Sequence, residues 1–366
     1  MEYYTTIGAD VSDRTSKICV MTKTGGKPTV VGETTIPTTP DGFRGFLKTQ
    51  DPSSPLVFET GTHCRWIKDV AEEAGFKVFV ANPCRLRLIT ESKTKNDRND
   101  AKALARLALA DVELLSPVKL RDGEHQTMVN LHQMRDGLVR DRTGAVLQIR
   151  NFAKSMGFRI PDCQAESFHN LDRRAWPKAL NDLVWPLIKH LKSISVTIKT
   201  VEKQMRRLAK TPAFREQVER LMQIDSVGFF TATCFVAVTG GDVDRFDSPR
   251  DVGPWLGLTP RQDQSGDTDR QCRITHAGSG ALRWKLTECA NLIMRDSAPD
   301  TDLKVKGMRI CARGGKTARK KARVAVARCL AVLMVAMLKN PKSEYRRISD
   351  SHAMELQAMR AAKAAV

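Results

Sequence analysis

The first 81 residues alternate short apolar, β-branched runs with compact turns, which confines this part of the chain to a sheet with helices laid against it. Tyr3 to Val11 reads as a first strand. Lys17 to Thr22 and Thr29 to Ile36 read as two more, separated by Gly25-Gly26, a pair suited to a tight turn. Asp41 to Leu47 fits a short helix. Leu56-Val57-Phe58 is a brief apolar strand that ends at Glu59. A helix from about Arg65 to Ala74 is closed by Gly75, and Lys77 to Ala81 is a fifth strand stopped by Asn82-Pro83. The expected order is three strands, then helix, strand, helix, strand.

The remainder reads as helical. Within residues 120–210 one helix is expected from near Glu124 to Phe152, then an interruption containing Pro161, Cys163 and Pro177. A second helix is expected to start near Pro186, because proline suits a first helical turn. Leu187, Leu191, Ile194, Ile198, Val201, Met205 and Leu208 alternate steps of four and three, which is a heptad seam. Its outer face is basic: Lys189, Lys192, Lys199, Lys203, Arg206, Arg207 and Lys210 stand against the single acid Glu202. The seam can close on the first helix of the same chain or on another subunit, and a coiled coil that helps dimerise is the expectation adopted. Further on, helices are expected at Phe229 to Val238, around Asp251, near Ala281 to Met294 and near Ala318 to Leu338, with a loop from Gly257 to Gly266. Residues 304–323 carry nine Lys/Arg and no acid, with Gly307, Gly314 and Gly315 breaking the run. The layout is therefore an α/β unit over 1–115, a helical, coiled-coil region over 116–212, a mostly helical unit over 213–342 and a flexible tail over 343–366.

Sixty Lys/Arg against 41 Asp/Glu give a formal charge of +19, so polyanions are the expected partners, nucleic acid first among them. A 41% hydrophobic content supports real cores and excludes a disordered chain. No apolar run approaches the roughly 18 residues that cross a membrane, and MEYYTTIGADVS lacks the pattern of a leader, so a cytoplasmic protein without membrane partners is expected. Nine scattered cysteines without C-x-x-C spacing exclude zinc ribbons and disulfide frameworks, leaving reduced, mostly buried thiols.

In so basic a chain the carboxylates at strand ends stand out. Asp10 follows Thr6-Ile7-Gly8-Ala9, and Glu59 follows Leu56-Val57-Phe58. If these two strands are neighbours, their carboxylates converge. Asp97 and Asp100 are three apart and share a face if helical. Each alone reads as a cap or a turn residue rather than as a metal ligand. Together they repel one another unless cations intervene, and hard oxygen ligands select Mg²⁺ or Mn²⁺. Two such ions about 3.5–4 Å apart can activate a nucleophile and steady a leaving oxygen at a phosphodiester.

These residues carry a resemblance. Gly8-Ala9-Asp10-Val11-Ser12, Phe58-Glu59-Thr60-Gly61-Thr62, Asn82-Pro83 and Lys95-Asn96-Asp97-Arg98-Asn99-Asp100-Ala101 resemble the DEDD, RuvC-like domain of transposases related to the Piv and MooV DNA invertases, the insertion-sequence family numbered one hundred and ten. The second half is similar too, in Ile224-Asp225-Ser226-Val227-Gly228, Asp244-Arg245-Phe246, Gly257-Leu258-Thr259-Pro260, Gln264-Ser265-Gly266, Arg273-Ile274-Thr275, Gly278 and Leu282-Arg283. The similarity spans roughly residues 3–340 in order. It implies an RNase H-like (RuvC-like) N-terminal domain, which suits the element order above, a central helical coiled coil and a C-terminal transposase domain. It also implies a recombinase directed by an element-encoded guide (bridge) RNA that pairs with target and donor DNA, working as a dimer that assembles to a tetramer at synapsis. By the same resemblance Asp10, Glu59, Asp97 and Asp100 hold Mg²⁺, and Ser265 attacks DNA to form a phosphoserine. Composite sites, with the RuvC-like domain of one subunit facing the C-terminal domain of another, are implied as well.

By its residue type alone, Ser265 in a Ser-Gly pair is a turn residue, and it needs a base or metal beside it to become a nucleophile. The sequence departs from the family pattern at three places. Asp225-Ser226 stands for Pro-Gly, His276 for a common lysine, and Trp66 lies further from Thr62 than the usual aromatic. Lys93, Lys95, Arg98, Arg273, Arg283, Lys316, Arg319, Lys320 and Lys321 are the expected nucleic-acid contacts. A hydrolytic RuvC-like nuclease of the junction-resolvase type, needing only the carboxylates and water, is the alternative. A non-enzymatic nucleic-acid scaffold is a third reading.

Overall fold

The structure is a computed structural model that describes residues 4–83, 97–265 and 268–364; for Asp97 and for 262–265, 268–271 and 362–364 the description concerns the backbone alone. Met1–Leu120 and Arg121–Val366 form two separate compact units.

The first unit is built on a five-stranded sheet of order β3-β2-β1-β4-β5. Its strands are β1 (Thr5–Val11), β2 (Thr15–Thr24), β3 (Lys27–Pro37), β4 (Leu56–Glu59) and β5 (Val78–Ala81). β1, β2 and β3 pair antiparallel, whereas β4 runs parallel to both β1 and β5. This is the strand and helix order read from the sequence. The pleat sorts residues between two faces. Ile7, Ala9, Ile18, Val20 and Phe58 pack with Phe43 and Leu47 of α1 (Pro40–Leu47) and with Ile67 and Val70 of α2 (Cys64–Glu73). On the other face, Val57 and Ala81 meet Leu104 and Ala108 of α3 (Asp97–Ala110), while Cys19 and Met21 meet Ala101, Ala105 and Leu109. β1 is the seat of α3. A Cβ on Gly8 would lie 2.1 Å from the Ala101 carbonyl oxygen and 2.6 Å from the Ala105 nitrogen, so only glycine lets the helix backbone settle there. Two residues earlier, Thr6 Oγ1 donates to the Ala105 carbonyl at 2.8 Å.

The second unit opens with α4 (Gly123–Ser155) and α5 (Lys178–Leu208), which fold back on each other. Ala145, Val146 and Ile149 cluster with Leu180, Val184, Ile188 and Leu191, whereas Met128 and Leu131 cluster with Val201 and Met205, so the pair is antiparallel. The seam expected to dimerise is therefore buried within one chain. Its lower members are as expected, but Ile188 rather than Leu187 is the buried residue, and Leu180 and Val184 extend it backwards. The helix also starts eight residues before Pro186, which sits inside it. Pro186 is exposed, so the carbonyl left without an N–H partner can turn to water. Glu202, the lone acid of the basic face, accepts from Arg135 of α4 at 2.7 Å.

The core of this unit is α7 (Phe229–Thr239), buried at every residue from Thr231 to Thr239, as an all-apolar helix requires. It is enclosed by α4, α5, α6 (Arg215–Leu221), the short α8 (Val252–Trp255), α9 (Gly280–Ile293) and α11 (Ala318–Lys339). The turn between α6 and α7 survives without Pro-Gly, because Ser226 takes φ +67° and the Val227 N–H bonds the Ile224 carbonyl at 3.0 Å. Three expectations are corrected. The segment from Gly257 to Gly266 is no simple loop: β6 (Pro260–Ser265) pairs antiparallel with β7 (Thr268–Ile274). Gly307 does not break the basic run but lies buried inside α10 (Asp302–Ala312), where a Cβ would press on Met294 and Val326 at 3.0–3.1 Å. The tail is not loose. It forms α12 (Asp350–Ala364), tied down by Glu355 to Arg309, Arg360 to Asp300 at 2.7 Å and His352 to Asp302 at 2.8 Å, while Arg347 reaches Asp225 at 2.8 Å. The tail also buries Leu356, an apolar anchor beside these ion pairs. The cysteines among the described residues are all free thiols, but only Cys19, Cys234 and Cys289 are buried and Cys272 is exposed, which corrects the expectation of mostly buried thiols.

Candidate functional site

Alternation along β1 aims Asp10. Ile7 and Ala9 point to the α1–α2 core, whereas Thr6 and Gly8 touch α3, so Asp10 projects toward the α3 side. Alternation along β4 does the same for Glu59, because Val57 packs on Leu104 and Ala108 while Leu56 and Phe58 face the other core. Register brings the two level: Ala9 pairs with Phe58 in the parallel ladder, so Asp10 and Glu59 follow it as the next residues on adjacent strands. Neighbouring strands lie about 4.8 Å apart. The mouth of α3 stands at the same end. Ala101 rests over Gly8, and Asp100 is the residue before it, with Asp97 opening the helix. Asp10, Glu59 and Asp100 are each half-buried. A helix N-terminus carries partial positive charge, which favours acids in its first turn.

The donor set is uniformly hard carboxylate oxygen, the chemistry that fits Mg²⁺ or Mn²⁺. Among the described residues no group of three or more His, Cys, Asp or Glu is close enough to hold a metal ion. The fold brings the strand ends and the helix mouth together without drawing the carboxylates to a point, and the side chain of Asp97 is not among those described.

The basic residues expected around this site divide. Lys93 and Lys95 lie outside the described residues. Arg98 is engaged: its guanidinium pairs with Glu33 on β3. That hydrogen bond holds the Glu33 carboxyl below its ordinary pKa and raises that of Arg98. A phosphate would have to compete with Glu33 for it.

Ser265 is the last residue of β6 and pairs with Thr268 at the end of the ribbon where β6 leads into β7. The base of this hairpin is locked by backbone contacts. Gly257 and Gly278 both take φ +65°; a Cβ on the first would meet the Ala277 nitrogen at 2.2 Å, and on the second the Trp255 carbonyl oxygen at 2.3 Å. The Thr275 N–H bonds the Thr259 carbonyl at 3.0 Å. His276 stands between them at φ +57°, uncommon for a residue with a side chain. Arg283 closes the assembly. From α9 its Nη1 donates to the carbonyls of Leu256 at 2.9 Å, Gly278 at 3.5 Å and Ala277. Burial pulls its pKa down. The structure thus commits Arg283, expected as a phosphate contact, to the hairpin base. The sequence held a signal for this in Gly257 and Gly278, which mark a close backbone approach, but nothing in it named Arg283 as the staple. Arg273 at the end of β7 is exposed, as are Lys316, Arg319, Lys320 and Lys321 at the start of α11, and no described ion pair involves any of them.

Comparison with known proteins agrees with both halves. Residues 7–157 match a family of DEDD domains named for IS110 and described as a transposase, and residues 218–306 match the Transposase IS116/IS110/IS902 family. A probable family 20 transposase of Pseudomonas aeruginosa is 26% identical over 266 residues, 71% of this chain and 76% of its own length. The transposase for insertion sequence element IS1328 of Yersinia enterocolitica is 28% identical over 259 residues, 68% of this chain and 73% of its own. The pilin gene-inverting protein of Moraxella bovis is 24% identical over 312 residues, 81% and 83% of the two chains.

Proposed function

We propose that this chain, a relative of the IS116/IS110/IS902 transposases and of a gene-inverting protein, cuts and rejoins DNA strands to move an insertion sequence or invert a segment. The observation that carries the reading is the shared sheet face, on which Asp10, Glu59 and the first turn of α3 stand at one end. In this reading Asp10, Glu59, Asp97 and Asp100 hold Mg²⁺, or Mn²⁺ in its place. When bound, the ion supplies positive charge that acidifies an attacking hydroxyl and steadies a leaving oxygen.

Ser265 is the proposed nucleophile. Its Oγ bonds to the phosphorus as the bond to the departing strand's oxygen breaks, and that oxygen takes up the proton. A hydroxyl of a second strand end then attacks the phosphoserine and releases Ser265, so each broken phosphodiester is replaced by another. Its place on a hairpin whose base is braced, at the end where β6 leads into β7, supports this role, since a serine needs firm positioning to compete with water. Guidance by an element-encoded RNA pairing with target and donor DNA, and a dimer that becomes a tetramer at synapsis, belong to the same proposal. So does cytoplasmic action on the nucleoid. The exposed basic face of α5 and the start of α11 support nucleic-acid binding. Among the described residues no helix is long and apolar enough to cross a membrane.

The test is strand cleavage on DNA carrying the element's ends, in the presence of its RNA. Ser265→Ala and Asp10→Ala are each expected to abolish cleavage while leaving binding intact. Cutting that persists in Ser265→Ala, with water as the nucleophile, would replace this reading with that of a hydrolytic nuclease. Activity that ignores both Asp10→Ala and Mg²⁺ removal would leave only a scaffold.

A further inference from the structure

At one end of the α4–α5 hairpin, residues 171–185 enclose an open cleft of about 720 Å³. Trp185 forms one wall and is 47% exposed. The Arg173 guanidinium stands 5.1 Å from the centroid of its ring, and the Lys189 ammonium also 5.1 Å. Arg174 is held in place by Asp172, with both carboxylate oxygens accepting at 2.7–3.0 Å. Asn181 donates to the carbonyls of Arg173 at 3.1 Å and Trp176 at 3.3 Å, which fixes the backbone behind the cleft. Two groups remain to be used. Arg173 Nη1 is enclosed and has no hydrogen-bond partner, and the exposed Asp182 takes part in no described ion pair. Away from the cleft, Lys189, Lys192, Lys199 and Lys203 continue as an exposed basic track along α5.

We infer that this cleft is a stacking site for an unpaired nucleobase, with the phosphates of the same single strand running onto the basic face of α5. An exposed indole flanked by cations beside a positive track is the combination by which single strands are held. A duplex does not fit, because its bases are covered on both faces by their neighbours; only an unpaired base offers a face to Trp185. Stacking of a base on an aromatic ring is worth more than an exposed cation–π contact. The base can therefore displace Arg173 or Lys189 from the ring, and the displaced cation gains a phosphate. Arg173 Nη1 can donate to a base carbonyl, which ends the cost of an enclosed donor without a partner. Asp182 can accept from a base N–H. A protein partner is disfavoured by the walls, in which Leu171 and Trp185 are the apolar members. The inference rests on the nucleic-acid reading above but uses neither the carboxylates nor Ser265.

The test measures binding of full-length protein to single-stranded RNA and DNA oligonucleotides, each with and without abasic sites. Trp185→Ala should weaken binding of intact strands by about 5- to 140-fold, the range of one lost base stack. It should leave abasic strands bound as weakly as by the wild-type protein, and leave the salt dependence unchanged. Trp185→Phe should retain most of the affinity, which guards against a folding defect. Lys189→Ala should lower the salt slope instead. The arm with the larger Trp185 effect names the strand as RNA or DNA. Equal losses on intact and abasic strands, or no loss on either, would overturn the inference. So would a change in sedimentation from dimer to monomer at unchanged binding, which would make Trp185 a subunit contact. If Trp185→Ala behaves as expected while Ser265→Ala still cuts, the cleft stands and the proposed chemistry falls.

Discussion

Asp10 and Glu59 are aimed by the pleat of a five-stranded sheet whose two faces are packed, whereas Ser265 rides on a two-stranded ribbon whose own strands are polar. An isolated hairpin is marginal in water. The ribbon gains its firmness from its base, where two glycines at φ +65° interlock with backbone and Arg283 gathers three carbonyls. The carboxylates owe their placement to side-chain burial, and the serine owes its placement to backbone hydrogen bonds. The two regions should therefore fail in different ways.

The largest expected effect breaks the sheet side. Gly8→Ala puts a methyl 2.1 Å from the Ala101 carbonyl, so α3 must shift and carry Asp97 and Asp100 with it. Overpacking of this kind costs about 1–3 kcal/mol. The first unit should melt earlier and cleavage should be lost, with the second unit's melting unchanged. Normal cleavage by this variant would show that α3 need not sit on β1.

The next effect separates the units by pH. His132 is buried beneath α7, with Nε2 3.1 Å from Thr233 Oγ1. Burial first, and then the charge of Lys285, pushes its pKa down to about 3. The unfolded chain takes up this proton near pH 6.5, but the folded chain does not until near pH 3. Its contribution to stability is therefore full above pH 6.5 and is lost as pH falls toward 3, at up to about 1.4 kcal/mol per pH unit. Denaturant titrations of the second unit between pH 7 and 4.5 should show this slope, and His132→Gln should flatten it. A wild-type profile as flat as the variant's would contradict the assignment.

A smaller effect sharpens the role of Arg283. Arg283→Gln should slow covalent attack on DNA about tenfold, or ~1.4 kcal/mol, with substrate affinity and salt slope preserved. A salt slope reduced by about 0.9 together with weaker binding would make Arg283 the phosphate ligand that its sequence context suggested.

How far the sequence could be read follows the same division. The strands of the first unit were legible because burial on both faces demands apolar, β-branched runs, and the positions of Asp10 and Glu59 followed from strand ends. The β6–β7 ribbon was not legible: Pro-Arg-Gln-Asp-Gln-Ser is polar after its proline, and Thr-Asp-Arg-Gln-Cys-Arg-Ile has apolar residues only at its end, in Cys272 and Ile274, too few to mark a strand. The heptad seam was visible, but a seam does not say which helix covers it. Only the return of the chain through residues 156–177 places α4 against α5. Pro186 misled by suiting a helix start equally well as an exposed interior position.

The proposal that Ser265 attacks DNA in a reaction that needs Asp10 is tested most directly by mapping the protein–DNA adduct. Protein trapped on a nicked substrate with Mg²⁺ and the element's RNA is digested, and the modified peptide is identified by mass spectrometry. A phosphodeoxynucleotide on Ser265 in the wild-type protein, absent after Asp10→Ala, is the predicted result. Cleaved DNA with no adduct, or an adduct on another residue, would contradict it.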